Sequence, residues 1–434
     1  MKKYIFTILF SFFYFLPPGI CAEESVPCPK KIPPVELSQI NQSILKGLDF
    51  LLTHQRKNGS FGSALRTKRL NIYAPDTSHE GFHTGTSAIC LSTLIKMEDW
   101  LNTIPADTQD AQLQELLSRK TKVSTAIDRC ENWMMENLPQ LRRSAPTTLY
   151  NVWGHSFGIQ SLCQMYTRQL DLPPKEMAER KKKLVKEMNH QVELLRRYEC
   201  LNGGWAYYNF YSPETYKYPS QHNTAPPNSF VTSSVLLAFH EAKELNIGVE
   251  IPPHIIRRGL ESLYRQRMPN NAYTYAESHV NMPGSLISRP AGSLSRTLSG
   301  HLSIHQWMEE KDFVEKKVII TEKMLTDGLD RFITRIGWND IGRKRPVPHE
   351  SWFQIAGYFY YYGHYYAIRC VEQLQDSATQ KEYANYLADI LLGVQEPDGS
   401  WWDFPLYDYG HYYGTGMALD VLIKCREKFI NNKI

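Results

Sequence analysis

Residues 395–401, QEPDGSW, form a polar glycine turn that decides how the rest of the chain is interpreted. The turn follows a segment with helical periodicity (387–395), and a second helical segment (412–424), with closely spaced small residues, comes after it. The same order of helix, glycine turn with an aromatic residue, and helix recurs around residues 56–61 and 201–205. Recurrence of one such unit along a chain indicates a repeat architecture, in which no unit buries its apolar face alone.

Hydrophobic periodicity predicts six such helix pairs, and hence an all-α fold. The larger, more charged helices are expected to form an outer ring, at residues 39–55, 111–138, 175–199, 254–267, 312–335 and 379–395. The helices with small residues can approach one another closely and are expected to form an inner ring, at residues 82–97, 152–170, 228–245, 291–308, 352–373 and 409–427. Six pairs are enough to close on themselves. We therefore predict an α/α toroid, with an open superhelix as the alternative.

The N-terminus has the features of a secretory signal peptide. Lys2 and Lys3 precede an apolar run, 4–16, which ends at Pro17 and is too short to span a bilayer. We predict a signal peptide at residues 1–22, a linker at 23–38 and a single toroid domain at 39–430. The mature protein is expected to be exported, either periplasmic or secreted, and to have no transmembrane helix.

Charge and cysteine content exclude several classes of partner and site. The chain has 49 Lys and Arg against 45 Asp and Glu, and removing residues 1–22 takes away two lysines and no acid, which leaves 47 against 45, a net charge of +2. A balance so near zero gives no electrostatic basis for binding nucleic acid. The seven cysteines that remain are irregularly spaced and contain no CxxC metal motif. One or two disulfides would be compatible with an oxidising compartment.

The turn at 395–401 resembles the QW repeat (Q-x-x-D-G-S-W) of the squalene–hopene and oxidosqualene cyclases, whose superfamily also contains the β-subunits of protein prenyltransferases. Residues 55–61 are a variant with Phe in place of Trp, and residues 202–205 keep only the end of the motif. The resemblance implies an α/α toroid in which Gln55, Gln395 and Trp401 are structural. The cyclases protonate an alkene with a D-x-D-D motif, which this chain lacks, so an ordinary squalene cyclase is not expected.

The tripeptide aromatic-Gly-His occurs in three inner-helix segments, at residues 153–155, 362–364 and 409–411. Equivalent positions of a closed ring are expected to face one mouth, so three imidazoles could converge there, surrounded by aromatic side chains. The candidate catalytic residues are His155, His364, His411 and Asp408. The candidate substrate-binding residues are Trp153, Tyr362, Tyr365, Tyr409, Tyr412, Arg289 and Arg296.

Zinc bound by His155, His364 and His411 is one interpretation of these histidines, since neutral imidazoles suit that metal. Residues 408–411 resemble the Asp-x-Tyr-His segment of prenyltransferase β-subunits, which implies a zinc-ligand role for His411 alone. The other two ligands of that family correspond to Tyr362 and His364, so the pattern departs from the family and prenyltransferase activity is not expected. Helix capping, or lining of a ligand cavity without a metal, are the alternatives.

Two function classes and one non-catalytic role remain open at this stage, and the chain is not assigned as an enzyme. We favour an aromatic cavity that binds or transforms an isoprenoid-like apolar ligand, because π-faces shelter hydrocarbon and developing cations. The alternative is a polysaccharide lyase-like protein that binds a glycan, with Arg289, Arg296 and His364 as candidate groups. A scaffold would have its cavity filled by its own side chains. The oligomeric state stays open.

Overall fold

Two concentric layers of helices build this protein, as seen in a computed structural model that describes residues 26–67, 74–209, 223–282, 284–308 and 319–430. The outer layer consists of α1 (Leu37–His54), α3 (Ala111–Leu117), α4 (Lys120–Asn137), α6 (Pro174–Arg197), α8 (Pro253–Gln266), α10 (Glu322–Thr334) and α13 (Ser377–Gly393). The inner layer consists of α2 (Glu80–Thr103), α5 (Asn151–Thr167), α7 (Ser229–Glu244), α9 (Leu294–Trp307), α12 (Phe359–Val371) and α14 (Tyr409–Ile430). A short helix, α11 (Ile336–Gly342), follows α10. The predicted all-α fold of paired helices is confirmed, and the described residues contain no β-strand.

The inner ring closes on itself. Each inner helix packs against the next in chain order, and the last, α14, packs against the first, α2. The hydroxyl of Thr93 on α2 donates a hydrogen bond to the carbonyl of Gly416 on α14 (3.0 Å), and the Cys90 thiol lies 3.4 Å from the carbonyl of Tyr412. Closure therefore excludes the open superhelix.

The glycine turns join one outer helix to the next. The side-chain amide of Gln395 donates to the carbonyl of Gly399 in its own turn (3.0 Å) and to that of Ser43 on α1 (3.0 Å). Gln55 makes the equivalent pair of bonds to Gly59 (2.9 Å) and to Ala126 on α4 (2.8 Å). A side-chain amide can in this way satisfy backbone groups that helix ends leave free.

The aromatic residue of each turn is a buried wedge between the layers. Trp401 and Trp205 are fully buried, and their indole N–H groups donate to the carbonyls of Leu391 (2.9 Å) and Leu195 (2.8 Å) on the preceding outer helices. Phe61 is also fully buried, and its ring, unlike an indole, has no N–H to donate. The sequence of the turn thus positions two helices and the chain that follows.

Gly399 provides a sharp test of this turn, because its φ of +90° is strained for other residues and an added Cβ would lie 2.4 Å from the carbonyl oxygen of Lys46. We expect Gly399→Ala to lower the free energy of unfolding by at least about 2 kcal/mol, measured by urea denaturation. Gly393, at the end of α13, has no atom within 4 Å of an added Cβ, so Gly393→Ala is expected to be neutral or slightly stabilising. Equal effects of the two substitutions would contradict this role of Gly399.

Several expectations differ from the structure or lie outside it. The predicted outer helix 111–138 is divided at Ser118, and the predicted inner helix 352–373 begins only at Phe359, because residues 343–358 form an irregular loop that includes left-handed residues such as His349 (φ 64°). The predicted signal peptide, residues 1–22, lies outside the described residues, and both it and the domain boundaries remain predictions. Among the described residues, none of the helices is long and apolar enough to cross a membrane. The seven described cysteines are unpaired.

Candidate functional site

A cavity of about 610 Å³ opens at the end of the ring where the inner helices begin. Its wall is mainly aromatic because the first turns of five inner helices and the loops that precede them direct large side chains inward. These wall residues include His79, Phe82, Tyr150, Trp153, Tyr207, Tyr208, Phe230, Tyr275, Tyr358, Phe359, Tyr362, Phe404, Tyr407, Tyr409 and Tyr413. The loop between α11 and α12 adds Val347, Pro348 and His349. Such a concave, aromatic site is of the size that proteins use for small molecules.

The interior of the ring is filled further along the inner helices. The Tyr365 hydroxyl on α12 donates to Gln160 Oε1 on α5 (3.1 Å), and Arg369 Nη1 donates to Glu241 Oε1 on α7 (2.7 Å). These contacts cross the ring between helices that are not sequence neighbours. The cavity is therefore closed at its inner end by these contacts, which we call the floor network (Tyr365, Gln160, Arg369 and Glu241).

Asp403 is the one acidic residue among the described residues that line the cavity. It is fully buried, its Oδ2 accepts a hydrogen bond from the backbone N–H of Tyr361 (3.3 Å), and its Oδ1 has no hydrogen-bond partner among the described residues. Burial raises the pKa of Asp403 to about 8, although that N–H and the charge of Arg343 act in the opposite direction. The acid is thus protonated at neutral pH and can donate a hydrogen bond or a proton.

His79 is another titratable residue among those that line the cavity. Its ring stacks on Tyr407 (centroids 3.7 Å apart), and its Nδ1 lies 3.2 Å from the Tyr409 hydroxyl. Its Nε2 is buried and has no partner within the described part of the chain. Burial lowers the pKa of His79 to about 4, so the imidazole is neutral at neutral pH and accepts a proton only from a strongly acidic donor.

Three tyrosine hydroxyls and one histidine form a hydrogen-bonded chain along another part of the wall. The hydroxyl of Tyr207 bonds to that of Tyr275, which lies 3.2 Å from the Tyr358 hydroxyl, which in turn lies 3.2 Å from His349 Nε2. His349 Nδ1 is 2.6 Å from the carbonyl of Gln354, an acceptor, which makes Nδ1 the protonated nitrogen. Nε2 therefore accepts from Tyr358.

The structure places three of the predicted ligand-binding residues, Trp153, Tyr362 and Tyr409, on the cavity wall. Arg296 lies directly behind the wall, with its guanidinium carbon 5.4 Å from the ring centroid of Tyr275 and 5.3 Å from that of Phe359. The aromatic member of each aromatic-Gly-His tripeptide is thus the residue that faces the cavity.

The predicted convergence of His155, His364 and His411 is wrong. Two residues along a helix correspond to a rotation of about 200°, so a histidine two places after a cavity-facing aromatic residue faces away from the cavity. Each histidine instead contacts the outer layer: His155 Nδ1 lies 2.6 Å from Gln191 Oε1, the His364 ring packs on Phe332, and the His411 ring packs on Phe50 and Trp402.

Because His155, His364 and His411 do not meet, they cannot bind one zinc ion together. The described residues contain no group of three or more His, Cys, Asp and Glu side chains placed to hold a metal ion. Burial lowers the pKa of both His155 and His364 to about 4, so both are neutral packing residues at physiological pH.

Four other predicted site residues also lie away from the cavity wall. Tyr365 belongs to the floor network, and the Tyr412 hydroxyl donates to the carbonyl of His54 on α1 (3.2 Å). Asp408 accepts from the Ser63 hydroxyl (2.9 Å) outside the cavity, and Arg289 is exposed after a short 3₁₀ turn. The position of these residues within the repeats predicted that they lie near the mouth of the ring. It did not predict the direction in which each side chain points.

Sequence reasoning missed Asp403, His79 and His349. A signal for Asp403 was present in one other glycine turn, where Tyr207, two places after the turn aromatic Trp205, lines the cavity. Asp403 stands two places after Trp401. His349 lies in the irregular loop between α11 and α12, where no periodicity predicts an orientation.

No protein-family model matches the chain, and no curated protein matches its sequence. Solved structures with a similar course include the type II terpene cyclase MstE from Scytonema in complex with geranylgeranyl dihydroxybenzoate (TM-score 0.47, 12% identity, 90% of this chain and 98% of that chain). Others are a possible member of the GH105 family from Klebsiella pneumoniae (0.46, 12%, 93% and 96%) and a polysaccharide lyase (0.44, 13%, 92% and 99%). A terpene cyclase is thus among the similar structures, as the resemblance of the glycine turn led us to expect. Similarity at this level concerns the overall arrangement of helices and says nothing of reaction or ligand.

Proposed function

We propose that this protein binds and transforms an apolar, isoprenoid-like molecule in the aromatic cavity, with Asp403 as the proton donor. The observation that carries the proposal is a fully buried aspartic acid, with its carboxyl protonated, among the residues that line a mainly aromatic cavity. Hydrocarbon is favoured there because burial removes its apolar surface from water. Glycan binding is less well supported, because ring faces make up most of the wall and the hydroxyls of Tyr207, Tyr275 and Tyr358 already bond to one another.

The proposed step is a proton transfer to the ligand followed by a proton loss. The O–H bond of Asp403 breaks, its proton bonds to the ligand, and the resulting cation is stabilised by the faces of the surrounding rings. His79 Nε2, the neutral and unpartnered base on the wall, accepts a proton from a neighbouring carbon, which forms a new double bond. One proton enters and one leaves, so the product is an isomer of the ligand.

The acidity of Asp403 limits the acceptor. A lone carboxyl whose pKa is raised to about 8 is held in its protonated form but is a weak acid. The ligand must therefore offer a site more basic than a simple alkene, such as an epoxide oxygen or an electron-rich conjugated double bond. Proton transfer works best when donor and acceptor are matched in this way.

The proposal is tested with farnesol, geranylgeraniol and their terminal epoxides. Binding is measured by quenching of tryptophan fluorescence, since Trp153 lies on the wall, and products are identified by mass spectrometry. Asp403→Asn is expected to bind the epoxides as the parent protein does and to form isomeric product at least about 100-fold more slowly. The rate of the parent protein should fall as pH rises through about 8, where Asp403 loses its proton.

Acidic oligosaccharides serve as the competing ligand class. Saturable binding of an oligosaccharide with no binding of any polyprenoid would overturn the proposed function. Binding of polyprenoids with an unchanged rate in Asp403→Asn would remove Asp403 from its role and leave only the binding function.

A further inference from the structure

Arg296 is a buried cation that has no carboxylate partner in the described structure. It is 1% exposed, one of its terminal nitrogens donates to the backbone carbonyl of Ile287, and its Nε finds no hydrogen-bond partner among the described residues. Taking an unpaired charge out of water is costly, so buried cations are ordinarily neutralised by acids.

Two other buried arginines show how this protein accommodates a buried guanidinium. Arg168, 2% exposed, donates to Glu98 (2.7 Å) and Asp128 (2.7 Å). Arg426, 7% exposed, has no ion pair among the described residues, but its Nε donates to Asn41 Oδ1 (2.9 Å). Arg296 has neither an ion pair between described residues nor a partner for its Nε, and it lies beside the cavity, where a bound ligand could supply the missing charge.

The surroundings of Arg296 identify where that partner would lie. Its guanidinium carbon lies over the rings of Tyr275 and Phe359, and both of these residues line the cavity. The hydroxyl chain of Tyr207, Tyr275 and Tyr358 lies on the same part of the wall. Hydroxyl protons rotate, so one of them can turn from its neighbour to an anionic oxygen in the cavity.

We infer that the ligand of the cavity carries a single carboxylate, which lies against the Tyr275 and Tyr358 hydroxyls and neutralises Arg296. The inference rests on the proposed function and narrows it from apolar molecules to isoprenoid-like acids. A single carboxylate matches the single guanidinium, whereas a diphosphate would bring more negative charge than the described wall, which includes no lysine or arginine, can balance. Asp403 is protonated and does not repel the anion.

Because Arg296 acts from behind the rings, it attracts the carboxylate through a low-dielectric wall rather than by contact. Coulomb attraction is stronger across such a medium than in water. The tyrosine hydroxyls supply the directional part of the recognition. Removal of the charge should therefore affect every anionic ligand and leave neutral ligands of the same length unaffected.

The test compares farnesoic acid with farnesol, which share one hydrocarbon chain and differ in the head group. At pH 7 the parent protein is expected to bind the acid at least tenfold more tightly than the alcohol. Arg296→Gln should abolish that preference and keep the affinity for farnesol. Arg289→Gln is the matched control, since Arg289 is exposed and its loss should change neither affinity. Tyr358→Phe, which removes one hydroxyl, should weaken binding of the acid alone by a few-fold.

Three results of these binding measurements would overturn or refute the inference that the ligand carries one carboxylate. Equal affinity of the parent protein for acid and alcohol overturns it, even if Arg296→Gln does not fold, and so does a preference for the acid that survives in Arg296→Gln. Farnesyl monophosphate should bind no more tightly than the acid, and tighter binding would contradict the match to one carboxylate. Failure of both farnesol and farnesoic acid to bind refutes the proposed function instead.

Discussion

Replacing Trp401 with alanine is expected to lower the free energy of unfolding by about 3–5 kcal/mol, the usual cost of deleting a buried indole. Trp401 is fully buried and contacts three helices at once: its N–H bonds to Leu391 on α13, its ring would meet a Cβ at Gly47 on α1, and its backbone N–H bonds to the Thr415 hydroxyl on α14 (3.0 Å). A cavity at this point would loosen the junction at which the last repeat meets the first. Urea denaturation followed by circular dichroism measures the loss.

The neighbouring tryptophan is the control. Trp402 is only partly buried, stacks on His411 (5.0 Å between centroids), and lies below the Lys344 ammonium (4.5 Å). Trp402→Ala should cost about 1 kcal/mol. Trp401→Phe should be milder than Trp401→Ala, because Phe61 occupies the equivalent position of another turn. Similar losses for Trp401→Ala and Trp402→Ala would contradict the wedge role.

The architecture was predictable because its determinants are local. Gln55 and Gln395 belong to short motifs in which the side chain bonds within its own turn, and helices such as α5 and α14 begin close to where the periodicity placed them. Closure followed from counting pairs. The start of α12 was predicted seven residues too early, because it is preceded by a loop with left-handed residues that no periodic pattern describes.

The site was predicted only in part, for geometric reasons. Register along the repeats correctly placed Trp153, Tyr362 and Tyr409 at the cavity, but the same register applied to the histidines ignored the helical rotation between neighbouring positions. The hydroxyl chain could not be predicted, because Tyr207 and Tyr358 are more than a hundred residues apart in sequence and meet only when the ring closes. Arginine is rarely fully buried unless an acid pairs with it. The sequence therefore provided no reason to expect the buried Arg296 to lack such a partner, and only the structure could show it.

Asp403→Asn is expected to stabilise the protein at neutral pH while removing its proton donor. The folded protein retains the Asp403 proton up to a pH of about 8, whereas the unfolded chain releases it near the ordinary value of 3.8. Between these values the unfolded state binds fewer protons, so the free energy of unfolding falls as pH rises, by up to about 1.4 kcal/mol per pH unit. Asparagine is neutral in both the folded and the unfolded state, so the free energy of unfolding of Asp403→Asn does not fall with pH for this reason.

The stabilisation should therefore depend on pH in a defined direction. Near pH 4 the two proteins should differ little, and at pH 7 Asp403→Asn should be more stable by about 2–4 kcal/mol, after allowance for an amide N–H left unpaired. Urea denaturation at several pH values between 4 and 8 measures the difference. Asp408→Asn, at a carboxylate that is only partly buried, should change stability by less than about 1 kcal/mol across the same range.

Parallel stability curves for the parent protein and Asp403→Asn would show that Asp403 ionises normally in the folded state, and the proton-donor role would fail with that result. A gain in stability at pH 7 together with loss of isomerised product has a different meaning. A buried acid without a cationic partner costs stability, and proteins retain such residues where activity requires them. The two measurements on one substitution thus separate a structural aspartate from one retained for chemistry.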